Sequence, residues 1–361
     1  MKVCLLNVEF EINAGTERVV AFHAEKLKKA GHEVDVACAY YKPSVFPEKF
    51  KNFKIIEYAK ELEDLGFMRR TRVSLSLLRR SINFLKDYDV IIAYRPFTNI
   101  MAMRAKKKFG AKILWYCNHP EKHLYPRYFK TLNKKNFIFR TALLPGLRMD
   151  KESVKHFDRI YVNSHHMWTK FNLIYDYNKH VVLYLSCDSF KKAKKGGCLI
   201  SISRVEPEKN QLVLLKALTR IKNKFKTVFV GQITNQQYYE ELKRFIKEHG
   251  LDVEFTGRQD DKGMQSWYDK SFLSVFTPYD EDFGMVPIES LSTGKPVLTH
   301  VSNGVSEVLP DRFVYSTVDE LAAKIDSFIN GGIKGLTREE LRIPSRIREH
   351  HVKQLLLDVE S

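Results

Sequence analysis

Short apolar runs alternate with amphipathic stretches along most of the chain. In the first half, apolar runs occupy 2–8, 33–39, 89–94, 112–117, 158–162 and 180–185. After residue 197 the alternation begins again, with apolar runs at 198–203, 226–231, 252–256, 272–277 and 296–300. Segments of helical period lie between them, near 15–30, 208–222, 235–249 and 286–293. Strands that alternate with helices predict parallel sheets with helices on both faces.

The number of strands predicts two domains. A single sheet would need more than ten strands, and 361 residues suit two domains of ordinary size. We therefore predict an α/β protein with two doubly wound, Rossmann-like domains at residues 1–185 and 198–336, joined by a linker at 186–197. Residues 337–361 are charged and helical and have no strand to pair with, so we expect a closing helix that packs across the domains.

Composition excludes several classes of protein. Hydrophobic residues make up 44% of the chain, with 24 Phe and 17 Tyr, which excludes disorder. No window approaches the about 18 consecutive apolar residues of a spanning helix. Glu9 and Glu11 interrupt any signal-peptide core, so we expect a cytoplasmic protein. Five scattered cysteines without a C-x-x-C pair indicate buried, reduced thiols rather than disulfides or a zinc site.

The positive charge is concentrated in one segment. The net charge is +17, and residues 1–185 hold 34 basic and 18 acidic side chains, whereas residues 186–361 hold 26 and 25. Residues 68–148 alone hold 19 basic and 3 acidic side chains. A surface of this kind meets an anionic partner, and nucleic acid, anionic lipid and phosphorylated substrates all fit that description.

Ligands of open α/β sheets bind at the carboxyl ends of strands, so the residues that follow each strand are the first candidates for a binding site. Gly15 opens a helix after the first strand and would let backbone amides approach an anion, although an ordinary strand–helix turn explains it equally well. The segment lacks the G-x-G-x-x-G pattern of dinucleotide-binding folds, which disfavours a dehydrogenase.

Two cations follow the first strand of the second domain. Arg204 ends that strand, and Lys209 is predicted in the first turn of the next helix. A cation at a helix N-terminus is disfavoured by the helix dipole, which suggests that an anion binds between Lys209, Arg204 and the helix amides. The alternative is a solvated Lys209 paired with Glu206 or Glu208.

Two carboxylates flank a glycine turn after the strand that ends near Pro278. Glu281 lies in the loop, Pro287 is predicted as the first helical residue, and Glu289 then falls in the first turn. Interaction with the helix dipole would account for Glu289, but it explains neither Glu281 nor Gly284.

These segments resemble a known family. EDFGMVPIE, residues 281–289, resembles the Glu–seven residues–Glu motif of retaining glycosyltransferases with the GT-B fold, especially family 4. SRVEPEKN, residues 203–210, resembles the family's phosphate-binding segment; VEFTGR, residues 253–258, its strand beside the base; and NGVSE, residues 303–307, its following turn. The resemblance covers nearly all of residues 198–330 and continues more weakly through the first domain.

The resemblance implies a role for each matching residue. It assigns Glu289 to the ribose hydroxyls and Glu281 to the hydroxyls of the transferred sugar. Arg204 and Lys209 would hold the diphosphate. Gly257 and Arg258 would lie beside the base. The other donor-binding residues would surround the diphosphate: Gly15, Phe283, Gly284, Met285 and Val286. Among these, Glu281, Lys209 and Arg204 would be catalytic, together with His119.

His119 stands one position away from the family pattern. Family members often carry a histidine near the reacting sugar, and the mannosyltransferases that build lipid-linked glycans often read Cys-His-Phe-Pro-Asp, whereas this chain reads Cys117-Asn118-His119-Pro120-Glu121. A shift of one residue changes the direction of a side chain. Either His119 takes the role, or the site does without it and His119 is structural.

Two features bear on metal and membrane. Asp280-Glu281-Asp282 is an Asp-x-Asp string of the kind that binds a metal in the other major glycosyltransferase fold, but the helix start and Lys209 favour a metal-free site. Residues 68–85 carry apolar residues at helical spacing, flanked by Arg69, Arg70, Arg72, Arg79 and Arg80. That pattern is typical of a surface helix packed on the core, or of an interfacial helix on anionic lipid.

We therefore predict a retaining glycosyltransferase that moves a hexose from a GDP- or UDP-linked sugar to a glycan or lipid-linked acceptor, with a mild preference for mannose. The first domain would hold the acceptor and the second the donor, across a cleft, without metal or cofactor, at the cytoplasmic face of a membrane. The family mechanism implies that the leaving phosphate takes the acceptor proton. The alternatives are a sugar-nucleotide 2-epimerase, which the EDFGMVPIE spacing disfavours, and a basic nucleic-acid-binding protein, for which no motif is present.

Overall fold

The computed structural model describes residues 1–10, 15–43, 50–62, 79–121, 125, 146–177, 179–186, 190–194, 196–223, 225–331 and 335–361. The chain divides into two compact units. The first consists of Met1–Cys187 together with Glu349–Ser361, and the second of Asp188–Arg348. The division after Cys187 falls inside the predicted linker, and the C-terminal residues from Glu349 onward belong to the first unit.

The described part of the first unit is built on a parallel sheet of seven strands, in the order β5-β3-β1-β6-β7-β8-β9. The strands, including a short separate β2–β4 pair, are β1 Lys2–Leu6, β2 Glu9–Phe10, β3 Glu33–Cys38, β4 Tyr40–Tyr41, β5 Lys54–Glu57, β6 Val90–Ala93, β7 Lys112–Cys117, β8 Arg159–Val162 and β9 Val181–Val182. The helices with both ends described are α1 Gly15–Lys29, α2 Thr98–Phe109 and α3 His165–Tyr175. β5 escaped the sequence analysis because it is an edge strand with only two apolar residues.

The described part of the second unit repeats the plan with six parallel strands, in the order β12-β11-β10-β13-β14-β15. These strands are β10 Cys198–Ile202, β11 Thr227–Val230, β12 Val253–Phe255, β13 Ser271–Phe276, β14 Val297–His300 and β15 Val314–Tyr315. The helices are α4 Gln211–Leu218, α5 Gln236–His249, α6 Asp261–Lys270, α7 Met285–Thr293 and α8 Val318–Ile329. In both sheets the strand order reverses beside the first strand, which is the doubly wound arrangement predicted from the alternation of elements.

The strand order identifies where each sheet binds ligands. In the first unit, β1 is flanked by β3 and β6, and in the second, β10 is flanked by β11 and β13. After β1 and β6 the chain crosses to opposite faces of the first sheet, and after β10 and β13 it does the same in the second sheet. This divergence opens a crevice at the carboxyl ends of each pair of strands. The strands themselves read as nearly continuous apolar runs because both faces of a parallel sheet are covered.

The C-terminal helix α9, Ile343–Glu360, supplies polar contacts to the first unit. The carboxylate of Asp358, 5% exposed, accepts hydrogen bonds from Tyr161 Oη at 2.7 Å and Arg159 Nε at 3.1 Å. No helix in the described ranges is both long and apolar enough to cross a membrane.

A buried chain of hydrogen bonds joins α1 to α9 inside the first unit. His351 Nδ1 donates to the carbonyl of Tyr184 at 2.8 Å, so its Nε2 accepts from His23 Nε2 at 2.6 Å. His23 Nδ1 then accepts from Tyr94 Oη at 2.7 Å. Both histidines are 0% exposed. Burial lowers the pKa of His23 well below its usual range, and burial, with a smaller effect of His350, lowers the pKa of His351 to about 4.

This pair predicts acid sensitivity of the first unit. An unfolded histidine binds a proton below about pH 6.5, whereas folded His351 stays neutral down to about pH 4, so unfolding is favoured as the pH falls through that window. The free energy of unfolding should decrease by about 1.4 kcal/mol per pH unit for each such histidine. Denaturant unfolding of wild type and His351→Leu between pH 7 and pH 4 should show a shallower slope in the variant.

The neighbouring His350 is exposed and supplies a matched control. His350→Gln should keep the steep wild-type dependence on pH. The other ring groups around the pair are Phe22 and the phenols Tyr94 and Tyr116, which do not ionise in this range. Equal slopes in wild type and His351→Leu would contradict the assignment of neutral, mutually bonded histidines.

Candidate active site

The best-defined candidate site of the second unit lies at its topological switch point. β10 is followed by residues 203–210, and β13 is followed by the loop 277–284 before α7. Because β10 pairs directly with β13, the two loops meet at the same edge of the sheet. Thr277 Oγ1 donates to the carbonyl of Lys209 at 2.6 Å, which ties one loop to the other.

Lys209 and Glu281 form an ion pair across these loops. Lys209 Nζ lies 2.6 Å from Glu281 Oε2, with 18% of the lysine and 34% of the glutamate side chain exposed. The structure thus brings together two predicted catalytic residues that are far apart in sequence. It also excludes the alternative pairing, since the partner of Lys209 is Glu281 rather than Glu206 or Glu208.

The predicted helical position of Lys209 is wrong. Pro207–Lys209 forms a 3₁₀ turn, and α4 begins only at Gln211. Asn210 precedes that helix in the left-handed conformation, with φ +52°, and this reversal separates the 3₁₀ turn from the helix. The helix dipole therefore does not act on Lys209 as expected, and Glu281 is the group that balances its charge.

Arg204 is the more exposed cation of the site. Its guanidinium Nη2 lies 2.9 Å from Glu206 Oε1, and 56% of its side chain is exposed. Its carbonyl accepts from Gln211 Nε2 at 2.7 Å, which holds the backbone after β10 against the start of α4. Arg204 and Lys209 therefore stand on one loop, each paired with a different carboxylate, and a ligand phosphate would compete with these carboxylates for them.

Gly284 sets the start of α7. Its φ is +100°, and a Cβ on it would lie 2.7 Å from Cε1 of Phe276. The helix begins at Met285, so Pro287 is its third residue and Glu289 its fifth, which corrects the predicted first-turn positions. Pro287 is still tolerated because the amides of the first four residues have no partner within the helix.

The neighbouring side chains of this turn are largely buried. Glu289 is 3% exposed and Phe283 is 1% exposed. The carbonyl of Phe283 accepts from the amide of Val305 at 2.9 Å, so Phe283 stabilises the turn. Met285 and Val286 contribute their backbone amides at the N-terminus of α7, where a helix favours an anion.

A third loop reaches the same edge after β12. Gly257 has φ +70° with open space around it, and Arg258 beside it is exposed. The carbonyl of Gly257 accepts from the amide of Gly231 at 3.1 Å. Sequence analysis missed Gly231, whose absent Cβ would lie 2.0 Å from the carbonyl oxygen of Ser203. Its position at the end of the apolar run 226–231, directly after β11, was the available signal.

The Asp-x-Asp string lies in an irregular loop, outside any helix or strand. Asp280 is in the left-handed conformation with φ +59°, and its amide donates to Ser302 Oγ at 3.0 Å. The middle residue, Glu281, is engaged by Lys209. Within the described ranges, no three His, Cys, Asp or Glu side chains are arranged to hold a metal ion.

The switch point of the first unit carries a second polar cluster. α1 begins at Gly15, and Thr16 Oγ1 accepts from Asn118 Nδ2 at 2.9 Å. Arg95, the second residue after β6, donates to the buried carboxylate of Glu17. Burial alone would lower the pKa of Arg95, but Glu17 outweighs burial and raises it. Arg95 was not predicted as a site residue, although a cation directly after the apolar run 89–94 was an available signal.

Asn118 and His119 differ in their surroundings. Asn118 is 8% exposed and bonded to the start of α1, whereas His119 is half-buried and its Nδ1 donates to the carbonyl of Pro120 at 2.9 Å. That bond leaves Nε2 of His119 as the acceptor nitrogen of a neutral ring. The one-residue shift therefore places the side-chain amide of Asn118 in a structural contact with α1. The imidazole of His119 is half-buried at the carboxyl edge of the sheet, after β7.

The predicted basic helix is only partly described. Arg69, Arg70 and Arg72 lie outside the described residues. Arg79 is exposed, while Arg80 donates to the carbonyl of Tyr58 and pairs with Glu61. Ile82 and Leu85 are 4% and 0% exposed, so the end of this segment packs into the core.

Two family models match the chain. Residues 188–343 match the family model of glycosyl transferases group 1, and residues 13–182 match that of Glycosyltransferase Family 4. The chain is a glycosyltransferase of the family 4 type. The family predicted from the EDFGMVPIE segment and its neighbours is therefore confirmed.

Relatives of the glycosyltransferase include characterised enzymes. It is 26% identical over 333 residues to the alpha-1,3/1,6-mannosyltransferase ALG2 of Homo sapiens, covering 81% of this chain and 78% of that protein. It is 24% identical over 204 residues to the GDP-Man:Man(3)GlcNAc(2)-PP-Dol alpha-1,2-mannosyltransferase of Xenopus laevis, covering 48% and 41%. The crystal structure of Anabaena Alr3699/HepE in complex with UDP matches with a TM-score of 0.71 at 18% identity, covering 100% and 98%. That likeness confirms the GT-B fold.

Gly284 yields a prediction about the glycosyltransferase's site. In Gly284→Ala the new Cβ meets the ring of Phe276 in a backbone conformation that alanine avoids, so the variant should lose about 1–3 kcal/mol of stability. Gly250→Ala is the matched control, since Gly250 also has a positive φ, +58°, but nothing within 4 Å of its Cβ position. Denaturant unfolding should rank Gly284→Ala as the more damaging change; equal losses would show that the contact with Phe276 is unimportant.

Proposed function

We propose that the glycosyltransferase is a retaining, metal-independent mannosyltransferase that uses GDP-mannose and a lipid-linked glycan acceptor. The observation that carries the proposal is the Lys209–Glu281 pair at the switch point of the second unit, beside the N-terminus of α7. The proposal needs a cation for a phosphate next to a carboxylate for a sugar hydroxyl, and this pair supports it because it holds such side chains side by side.

The donor would bind in an extended arrangement along the edge of the second sheet. Arg204, Lys209 and the amides of Met285 and Val286 would hold the diphosphate, since fixed cations and helix amides stabilise a leaving anion. Glu289 would accept from the ribose hydroxyls. Gly257 and Arg258 would lie beside the base, where the absence of a side chain at Gly257 leaves room.

The ion pair suggests how donor binding is driven. In the free protein Lys209 and Glu281 satisfy each other at 2.6 Å. A bound nucleotide sugar replaces this one contact with two, as Lys209 donates to a phosphate oxygen and Glu281 accepts from a sugar hydroxyl. Retention then follows if the leaving phosphate takes the proton of the acceptor on the face from which it departs, and Glu281 is not needed as a base.

GDP-mannose is preferred to a UDP-hexose because of the relatives that match. The mannosyltransferase ALG2 aligns with most of the chain, and the Xenopus laevis relative is named for GDP-Man and a PP-Dol acceptor. The structure that holds UDP is 18% identical and informs the fold alone. The acceptor would bind the first unit at the switch point of its sheet, near Arg95 and His119. The basic residues of the segment 68–148 would bring the enzyme to the cytoplasmic face of a membrane.

The donor site is tested by hydrolysis without an acceptor. GDP-mannose and UDP-glucose are incubated with the protein, and release of nucleoside diphosphate is measured with and without excess EDTA. We expect slow release from GDP-mannose that survives EDTA. Lys209→Ala should lower the rate by about 10²–10³-fold, the effect of removing one preorganised charge-stabilising donor. Glu281→Gln should lower turnover more than GDP affinity, whereas Glu289→Gln should weaken GDP binding as well.

Lys216→Ala, which changes an exposed lysine on α4, is the control and should behave as wild type. Activity abolished by EDTA and restored by Mn²⁺, with Lys209→Ala near wild type, would overturn the site. A 2-epimerase would instead change the configuration of the sugar at C2, and a nucleic-acid-binding protein would release nothing.

Membrane binding is tested with vesicles of phosphatidylserine and phosphatidylcholine. The combined change of Arg69, Arg70, Arg72 and Arg79 to Ser should weaken sedimentation strongly, because each charge near an anionic surface contributes about 1 kcal/mol. Arg80 is left intact since its contacts with Tyr58 and Glu61 are internal. The control removes four positive charges from the second unit, at Lys243, Arg244, Lys247 and Lys262. If both variants lose binding equally, net charge and not this segment attracts the lipid.

A further inference from the structure

We propose that Asn303 is a positioning residue that holds Glu281 in place for the transferred sugar. The inference rests on the role proposed for Glu281 and adds a residue to which neither the family resemblance nor the donor chemistry assigns a function. Asn303 lies in the turn after β14. β14 pairs with β13, the strand that the Glu281 loop follows.

The side-chain amide of Asn303 bridges three groups. It is 1% exposed, and its Nδ2 donates to the carbonyl of Pro278 at 2.8 Å and to Thr299 Oγ1 at 3.1 Å. Its Oδ1 accepts from the backbone amide of Glu281 at 3.0 Å. The carbonyl partner requires the nitrogen on that side, so the orientation of the amide group is determined by its surroundings.

The same turn supplies the other hydrogen bonds of the loop. The amide of Gly304 donates to the carbonyl of Glu281 at 3.0 Å, and the amide of Val305 donates to the carbonyl of Phe283 at 2.9 Å. Ser302 Oγ accepts from the amide of Asp280 at 3.0 Å. Residues 278–284 form neither helix nor strand, so their backbone is held by the turn at 302–305.

Glu281 is thus held at two points, its backbone by Asn303 and its carboxylate by Lys209. When a diphosphate engages Lys209, the second contact is exchanged and Asn303 remains as the anchor. A displacement of about 1 Å in a reacting group can cost 10²-fold in rate. Loss of the anchor should therefore affect turnover more than the binding of the nucleotide, which other residues hold.

The test uses Asn303→Ala in the full-length protein. Hydrolysis of GDP-mannose and of UDP-glucose gives kcat, and titration with GDP and UDP gives nucleotide affinity. We expect kcat to fall about 10- to 100-fold, while nucleotide affinity changes by no more than about twofold. In a Glu281→Gln background, the same change should cost little further turnover, because the two residues act through one carboxylate.

Two further variants separate positioning from stability. Asn235→Ala removes the N-cap of α5, where Asn235 accepts from the amide of Tyr238 at 2.9 Å, and should lower Tm without lowering kcat. Asn303→Asp keeps an acceptor for the amide of Glu281 and should retain more turnover than Asn303→Ala. If Asn303→Ala does not fold, Asn303→Asp replaces it in the comparison with the Glu281→Gln background.

The inference would be overturned if Asn303→Ala kept the wild-type kcat. It would also be overturned if the double variant lost kcat by the full product of the two single losses, because the two residues would then act independently. Equal losses of turnover in Asn303→Asp and Asn303→Ala would overturn it as well. Failure of the proposed function shows differently, since the wild-type protein then hydrolyses neither GDP-mannose nor UDP-glucose, and the role of Asn303 fails with it.

Discussion

The hydrogen-bonded pairing of β10 with β13 is the constraint on which the candidate site depends. Parallel neighbours end at the same edge of a sheet, and in a doubly wound order the chain leaves these two strands toward opposite faces. The loops that follow β10 and β13 therefore lie on either side of the crevice at this edge. Lys209 and Glu281 stand on those loops, and their separation of 2.6 Å follows from the strand order rather than from any local preference.

Irregular loops carry the candidate site residues, and polar side chains from adjacent segments hold these loops in place. Thr277 bonds the carbonyl of Lys209, Gln211 bonds that of Arg204, and Asn303 bonds both sides of the Glu281 loop. Buried backbone groups need such partners because an unpaired one costs about 1–3 kcal/mol. The same bonds that satisfy the backbone also give the candidate site residues a defined position.

Much of the fold was predictable because the signals are local. Buried parallel strands appear as apolar runs, so β7 at Lys112–Cys117 was predicted with its observed ends. The helical segment predicted near 286–293 corresponds to α7, which Gly294 ends in the left-handed conformation. The candidate donor-site residues of the loop before α7 were predicted because a glycine turn between two glutamates is a specific pattern. Helix starts were less predictable, since α4 and α7 begin where Asn210 and Gly284 adopt positive φ values.

By itself the sequence determined the two α/β domains, the family and the charged candidate residues at the edge of the second sheet, because periodicity and motif spacing are written along the chain. Tertiary structure alone decided which residues meet. Lys209 pairs with Glu281 and not with its neighbours Glu206 and Glu208, and His23 bonds His351 across 328 positions. Contacts of this kind depend on strand order and helix docking, and no local propensity encodes the distance between residues so far apart in sequence.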